Sequence, residues 1–250
     1  MTTRDALDRF LAGAHIDDAV FALRPDYRAV LLAVDGIEPA PSDADGEALL
    51  LRAETQVRQA LSTSAVEDLP RVASWREAYR SFGAKPQRMR NSVEALMRRA
   101  ESGLPRVNRL TDLYNAVSVL YQIPLGGEDL SRYVGSPRLI RSSGAEPFDT
   151  VAGGQPVVEH PEPGEVVWCD EAGVTCRRWN WRQARRTQLR DDTTSALFIL
   201  DALDPVDDDA ALAAAAELTD LLLRLGPQVT VAQRFLTNPL TTNAVVSHDG

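Results

Sequence analysis

The sequence predicts a mixed α/β protein, a mixed sheet packed with helices, and three observations carry that prediction. Apolar runs of strand length stand near both ends of the chain, at residues 27–34 and 196–200. Between them, Leu110, Leu113, Tyr114, Val117, Leu120 and Tyr121 recur at spacings of three and four, the period of a helix face. The resulting order of strand, helices, strands, helix, strand suits one main domain. The chain has 250 residues, 44% of them apolar and 25% charged, which is the makeup of a folded globule with one sizeable core.

Taken in order, Leu7, Phe10 and Leu11 predict a short first helix. Residues 19–23 and 27–34 predict two strands around an Arg24-Pro25-Asp26 turn. Residues 39–46 form a loop, where Ser42 or Asp43 can cap a helix running to Ser62. Residues 75–82 predict a helix closed by Gly83 and the Lys85-Pro86 pair. Asn91 stands as an N-cap with Glu94 at capping-box spacing, and the helix it opens, 93–102, stops at Gly103. Residues 109–122 form the amphipathic helix, closed by Pro124, and Gly126 with Gly127 predicts a tight turn. Strands follow at 139–140, 157–158, 166–169 and 174–177, the last two as a hairpin. Residues 207–225 predict a helix with an acidic first turn, and 229–232 a final strand. The organisation expected is an N-terminal part over 1–65 packed on a main domain over 66–235, with a disordered tail over 236–250.

Several function classes fall away on composition. No run of 18 apolar residues is present, so no membrane span is expected. The first residues lack a basic stretch followed by an apolar one, so no signal peptide is expected and the location expected is the cytoplasm. Cys169 and Cys176 are seven residues apart and could face each other on a hairpin, but a reducing cytoplasm disfavours a disulfide. His15, His160 and His248 are scattered without ligand spacing, so no metal and no cofactor are expected.

The charge is unevenly placed. The chain carries −9 overall, but residues 1–70 carry −7, residues 71–190 carry +6 and residues 191–250 carry −8. Between Arg76 and Arg109, nine basic residues face three acidic ones. A second cluster, from Arg177 to Arg190, holds six arginines and no acid. Two basic clusters in an acidic chain can focus an attractive field on a polyanion. The RNA contacts expected are Lys85, Arg88, Arg90, Arg98 and Arg99 from the first cluster, and Arg177, Arg182 and Arg186 from the second.

The helix after the first cluster carries a polar stripe. Asn108, Asp112 and Asn115 are spaced at four and three, with Thr111 and Ser118 beside them. Capping accounts for Asn108 and Asp112 taken singly. Taken together the stripe suits a pocket wall, where Asn side chains hold a water and donate to a developing oxyanion. Asp112, Asp129 or Asp201 could orient or deprotonate that water. No Gly-x-Ser-x-Gly elbow is present, so water attack is expected over a covalent serine. Trp179 and Trp181 flank Asn180, and serve either as core or as a stacking platform.

These segments bring a family into view. The run Asn108-Arg-Leu-Thr-Asp-Leu-Tyr-Asn-Ala-Val-Ser-Val-Leu-Tyr-Gln-Ile-Pro-Leu resembles the editing (B3/B4) domain of the bacterial phenylalanyl-tRNA synthetase beta subunit. So do Pro124-Leu-Gly-Gly-Glu-Asp-Leu, Gly164-Glu-Val-Val-Trp-Cys-Asp-Glu and Arg177-Arg-Trp-Asn-Trp-Arg-Gln, the last resembling free-standing members. The resemblance spans residues 70–225 and implies an α/β editing-domain fold with a pocket between a sheet and helices. It implies tRNA or aminoacyl-tRNA as the partner and hydrolysis, in trans, of the ester of a wrongly attached amino acid. On it Asn108, Asp112, Asn115 and Asp201 are catalytic candidates, and Thr111, Ser118, Gly126, Gly127, Trp179, Asn180 and Trp181 line the pocket. The family's pocket histidine falls on Gly126 and is absent here. A deacylase and a non-catalytic binder of tRNA or of an amino-acid-like ligand both remain open, as does the oligomeric state.

Overall fold

The fold is given by a computed structural model, which describes residues 3–242. Its centre is a four-stranded antiparallel sheet built from β2 (Arg28–Asp35), β3 (Leu125–Asp129), β10 (Ser195–Ala202) and β11 (Thr230–Leu236), in the order β11-β2-β10-β3. A second sheet runs β1-β4-β7-β8-β9, from His15–Ile16, Arg138–Arg141, Val166–Asp170, Gly173–Arg177 and Arg182–Gln183. Only the β1–β4 pair in it is parallel. A hairpin of β5 (Phe148–Ala152) and β6 (Gln155–Glu159) stands apart.

The central sheet is covered on both faces, which is why β2 is apolar throughout rather than alternating. Along β10, Leu197 and Ile199 point to one face and Ala196, Phe198 and Leu200 to the other. The first face shares a core with Leu139, Val166 and Trp168 of the second sheet, and with α1 (Thr3–Ala12) and α4 (Pro70–Ser81). The opposite face is covered by α6 (Arg109–Tyr121) and α7 (Asp208–Leu222). A third core joins α6 to α3 (Ala44–Leu61) and α5 (Ser92–Ala100). No helix among the described residues is long and apolar enough to cross a membrane.

The mixed α/β architecture is the one expected, and several local expectations are corrected. Residues 19–23 form a helix, α2 (Asp18–Leu23), not a strand. A five-residue apolar run suits either state, and here only Val20 and Phe21 are fully buried, as on one helix face. Gly126 and Gly127 are not a turn but the middle of β3. A Cβ on Gly127 would lie 2.8 Å from the Phe198 ring, so glycine lets this strand lie flush against its neighbour. After β8, residues 178–181 form a tight turn, in which Arg178 and Trp179 adopt left-handed φ values of 48° and 66°. Asn91 does cap α5, accepting from the Glu94 N–H at 2.8 Å, but Glu94 does not reciprocate. Its buried carboxylate binds Arg76 at 2.7 Å and Arg98 at 3.1 Å instead. Cys176 stands opposite Trp168 and Cys169 opposite Val174, so the two thiols do not meet and both are free. The strand β5 had no counterpart in the sequence reading. Of the tail expected over 236–250, Pro239–Thr242 is a single helical turn, α8, and residues 243–250 lie outside the described residues. The expected division at residue 65 runs through a shared sheet, since β2 lies between β10 and β11.

Asp112 is fully buried, and its two oxygens accept from the Ser42 hydroxyl and from the Val107 N–H. It therefore clamps the loop before α3 to the loop before α6. Asp112→Ala removes both hydrogen bonds of this clamp and is expected to cost about 1–3 kcal/mol, from about 0.5–1.5 kcal/mol for each bond. Urea denaturation should show a lowered midpoint at unchanged slope, and an unchanged midpoint would refute the clamp.

Candidate functional site

A cavity of about 300 Å³ opens where the two sheets face each other. The central sheet contributes Leu125, Gly126 and Glu128 from β3, and Ile199 and Asp201 from β10. Gly126, Glu128, Ile199 and Asp201 share one face by register, since Gly126 stands opposite Ile199 and Glu128 opposite Leu197, while Leu125 reaches the cavity from the strand end. The second sheet contributes Trp168 and Cys176, and the left-handed turn after it contributes Trp179, Asn180 and Trp181. Ser92 and Leu96 of α5, with Tyr114 and Asn115 of α6, complete the wall.

Asp201 is the most fully engaged group. It is 2% exposed and accepts three hydrogen bonds, from Tyr27 Oη at 2.5 Å, Trp168 Nε1 at 3.3 Å and Asn180 Nδ2 at 3.2 Å. Asn180 Oδ1 in turn accepts from Tyr79 Oη at 2.9 Å. Desolvation pushes the Asp201 carboxyl up to about 7 against those donors, and no cation opposes the shift. Glu128 is also 2% exposed and is held by fewer bonds. Its Oε2 accepts from Tyr133 Oη at 2.6 Å. Burial raises it to about 7 as well. Burial also pushes the Cys176 thiol well above its ordinary value, so it is not a thiolate nucleophile.

Two donors in the wall lack acceptors. The Ser92 hydroxyl and the Trp179 indole N–H are buried without a hydrogen-bond partner. Trp179 is fully buried, edge-on to Tyr27 with ring centroids 4.9 Å apart, yet its N–H finds no acceptor in bonding geometry. Buried polar groups are otherwise nearly always paired, so unpaired donors in a cavity wall suit a ligand oxygen.

Of the residues expected from sequence, Asn115, Gly126, Trp179, Asn180, Trp181 and Asp201 meet in this cavity. The others do not. Asn108 is the N-cap of α6, accepting from the Thr111 N–H at 2.9 Å, and both precede Tyr114 and Asn115 and lie outside the cavity wall. Asp112 is the clamp described above. Ser118 is buried and donates to the Ile123 carbonyl at 2.7 Å. Gly127 faces the opposite side of the sheet, toward Phe198 and Leu189. Asp129 is turned to the Ser131 N–H and hydroxyl. Glu128 was missed. A strand reading of 125–129 would have found it, two residues from Gly126 on the same face. Ser92 was missed because an N1 helix residue reads as helix start, and Tyr27 because it opens a buried strand.

The expected RNA contacts divide. Arg177 forms a bidentate pair with Glu165 at 2.8 Å and also binds Glu159, and its side chain is only 7% exposed. Arg186 pairs with buried Asp170 at 2.8 Å, and Arg98 with Glu67 and Glu94. Arg177 and Arg186 neutralise buried carboxylates rather than face solvent, while Arg98, partly exposed, bridges buried Glu94 and the partly exposed Glu67. Arg182 lines the cavity mouth but turns its guanidinium to Thr150 Oγ1, at 2.6 Å. Lys85, Arg88, Arg90 and Arg99 are exposed around α5, with Arg90 3.8 Å from Glu94.

Fold and site together define an α/β protein whose two sheets enclose a small-ligand cavity with two buried carboxyls and no cation at its floor. Residues 74–227 match the B3/4 domain family, and the chain belongs to that family. No curated protein matches the sequence. Among solved structures, it is similar to an N-terminal fragment of the phenylalanyl-tRNA synthetase beta-subunit from Pyrococcus horikoshii, with a TM-score of 0.42 and 10% identity. That alignment covers 89% of this chain and 50% of the fragment, so the chain spans half of the fragment's length.

The two carboxyls predict a pH trend in stability. Each has a folded value near 7, above its unfolded value, so the folded state holds more protons through the interval below pH 7. Stability is therefore highest at the acid end of this interval and falls as pH rises toward 7, on the order of 1 kcal/mol per pH unit for each carboxyl. Urea midpoints from pH 5 to 7.5 should decline in the native chain and decline less in Glu128→Gln. A flat or rising native profile would contradict the assignment.

Proposed function

We propose that the protein takes the aminoacyl end of a charged tRNA into this cavity and hydrolyses its ester, acting in trans and in the cytoplasm. One observation carries the reading: the same wall holds two buried donors without acceptors, Ser92 and Trp179, and a carboxyl of raised proton affinity, Glu128. An ester carbonyl and an attacking water supply what those groups lack. Glu128, held firmly through one oxygen by Tyr133, is the proton acceptor. Asp201, bonded on both oxygens, positions rather than accepts. Asn115 and Asn180 orient the substrate.

The step balances simply. Glu128 takes a proton from water as the water oxygen bonds to the carbonyl carbon, and the oxyanion that forms is met by the Ser92 hydroxyl and the Trp179 N–H. The carbonyl then reforms, the bond to the ribose oxygen breaks, and Glu128 returns the proton to that oxygen. Free amino acid and free tRNA leave. Lys85, Arg88, Arg90 and Arg99, exposed around the helix that forms the cavity wall, are the approach for the RNA backbone.

A second reading, a binder without chemistry, has the glycine at position 126 in its favour, where the family's pocket histidine is absent. The test is a panel of tRNAs charged with labelled correct and incorrect amino acids. Ester loss should exceed buffer for at least one, rise up to about tenfold per pH unit below pH 7, level above it, and fall by about 10²–10⁴ in Glu128→Gln. Ester loss no faster than buffer sinks the hydrolase. Salt-dependent tRNA binding in those samples, weakened by replacing Lys85 and Arg88 with Ala, would leave the binder.

A further inference from the structure

The floor of the cavity has an electrostatic imbalance that selects its ligand. Asp201 and Glu128 are both buried there, and the central sheet brings them to one face. The titratable groups packed against Asp201 are Tyr27 ahead of β2, Tyr79 of α4, Cys176 of β8 and Glu128 of β3. None of these supplies a positive charge. The nearby cations are committed elsewhere. Arg182 turns to the β5–β6 hairpin, Arg178 lies over the Trp181 ring at 4.3 Å and 3.6 Å from Glu165, and Arg186 is paired with Asp170. The walls around this floor are aromatic: Tyr114, Trp168, Trp179 and Trp181. Indole faces attract cations, and a desolvated carboxylate without a counter-charge does so more strongly.

We propose that the group inserted against Asp201 is a side-chain amine, so that the aminoacyl substrates of this site are those with cationic side chains. The proposal rests on the aminoacyl reading above and names its substrate class. The ammonium occupies the place that a proton otherwise takes on the carboxyl pair. Its insertion therefore releases that proton to solvent, and no other group gains or loses charge. Arg182 at the mouth leaves the anionic end of such a ligand outside.

The test uses the full chain and amides of free amino acids, which carry no hydrolysable ester. L-Lysinamide and L-norleucinamide differ only in the terminal ammonium, and L-tyrosinamide offers a neutral hydrogen-bond donor. In calorimetric titrations near pH 6.5, lysinamide should bind at least about tenfold more tightly than either neutral probe, a difference of one logarithmic unit. Titration in two buffers of different ionisation heat should show release of about one proton. Asp201→Asn should abolish the preference. If that variant fails to fold by near-ultraviolet circular dichroism, the native chain decides, because the preference should shrink at pH 5 and grow at pH 7.5. Equal or tighter binding of a neutral probe overturns the proposal, as does a preference that ignores pH or the absence of any lysinamide binding. Lysinamide preference without ester turnover sinks the hydrolase alone. Turnover confined to tRNAs bearing neutral residues, without lysinamide preference, sinks this proposal alone.

Discussion

The structure depends on one buried hydrogen-bonded knot around Asp201. Tyr27 reaches it from the start of β2, Trp168 from β7, and Asn180 from the turn after β8. Tyr79 of α4 joins through Asn180, and the Asn180 carbonyl accepts the Ser92 N–H at the start of α5. Five elements thus meet at one carboxyl in the space between two sheets. Such a network is costly unless its members are satisfied, and here the polar groups of Tyr27, Trp168 and Tyr79 each find a partner. A hydrophobic residue at 201 could fill the space, but could not fix the angle between the sheets in this way. The same knot that sets the architecture therefore also sets the chemistry of the cavity floor.

Around the knot, strain and charge are absorbed in ways that serve it. Trp179 sits in the left-handed region, which costs a non-glycine residue about 1–2 kcal/mol. The cost is offset by burial of its ring against Tyr27 and Trp75, with centroids at 4.9 and 5.3 Å. The tight turn then aims Asn180 at Asp201 and leaves Trp181 at the rim under Arg178. Behind the turn, Arg177 is locked to Glu165 and Glu159, so the strand leading into it cannot shift without exposing a buried charge.

Much of this was legible in the sequence, and the failures have physical causes. Helix periodicity and capping placed α3, α5, α6 and α7, because 3.6-residue spacing and Asp or Asn caps are local signals. The pocket positions Asn115, Gly126, Asn180 and Asp201 were legible through motif order. Asn108, Asp112 and Ser118 were assigned to the same wall because a polar stripe looks alike whether it faces a cavity or satisfies backbone groups. The spacing places residues on a helix face, but not what that face meets. Glu128 was hidden because two glycines read as a turn, and only the flat Phe198 ring against Gly127 explains why they form a strand. The basic clusters misled in part, since arginine counts do not reveal which carboxylates each one neutralises. Arg177 and Arg186 are structural ions whose partners, Glu165 and Asp170, lie some distance away in sequence.

That sorting of arginines sharpens the electrostatic picture. The net charge of −9 says nothing about where a polyanion would approach, because several central arginines, among them Arg76, Arg177 and Arg186, are spent on buried acids. Among the exposed basic residues is a set around α5: Lys85, Arg88, Arg90 and Arg99. That helix gives the cavity its Ser92 hydroxyl, so the basic residues outside and one unpaired donor inside come from α5 and the segment before it. The floor beyond it is acidic. Along the axis from α5 to Asp201 the sign of the potential therefore reverses, from cationic surface to carboxyl floor. A molecule matched to that axis is anionic where it meets the surface and cationic where it ends inside. The reversal is a property of the whole arrangement rather than of any one residue, since it needs the knot to hold Asp201 uncompensated and the ion pair with Asp170 to hold Arg186.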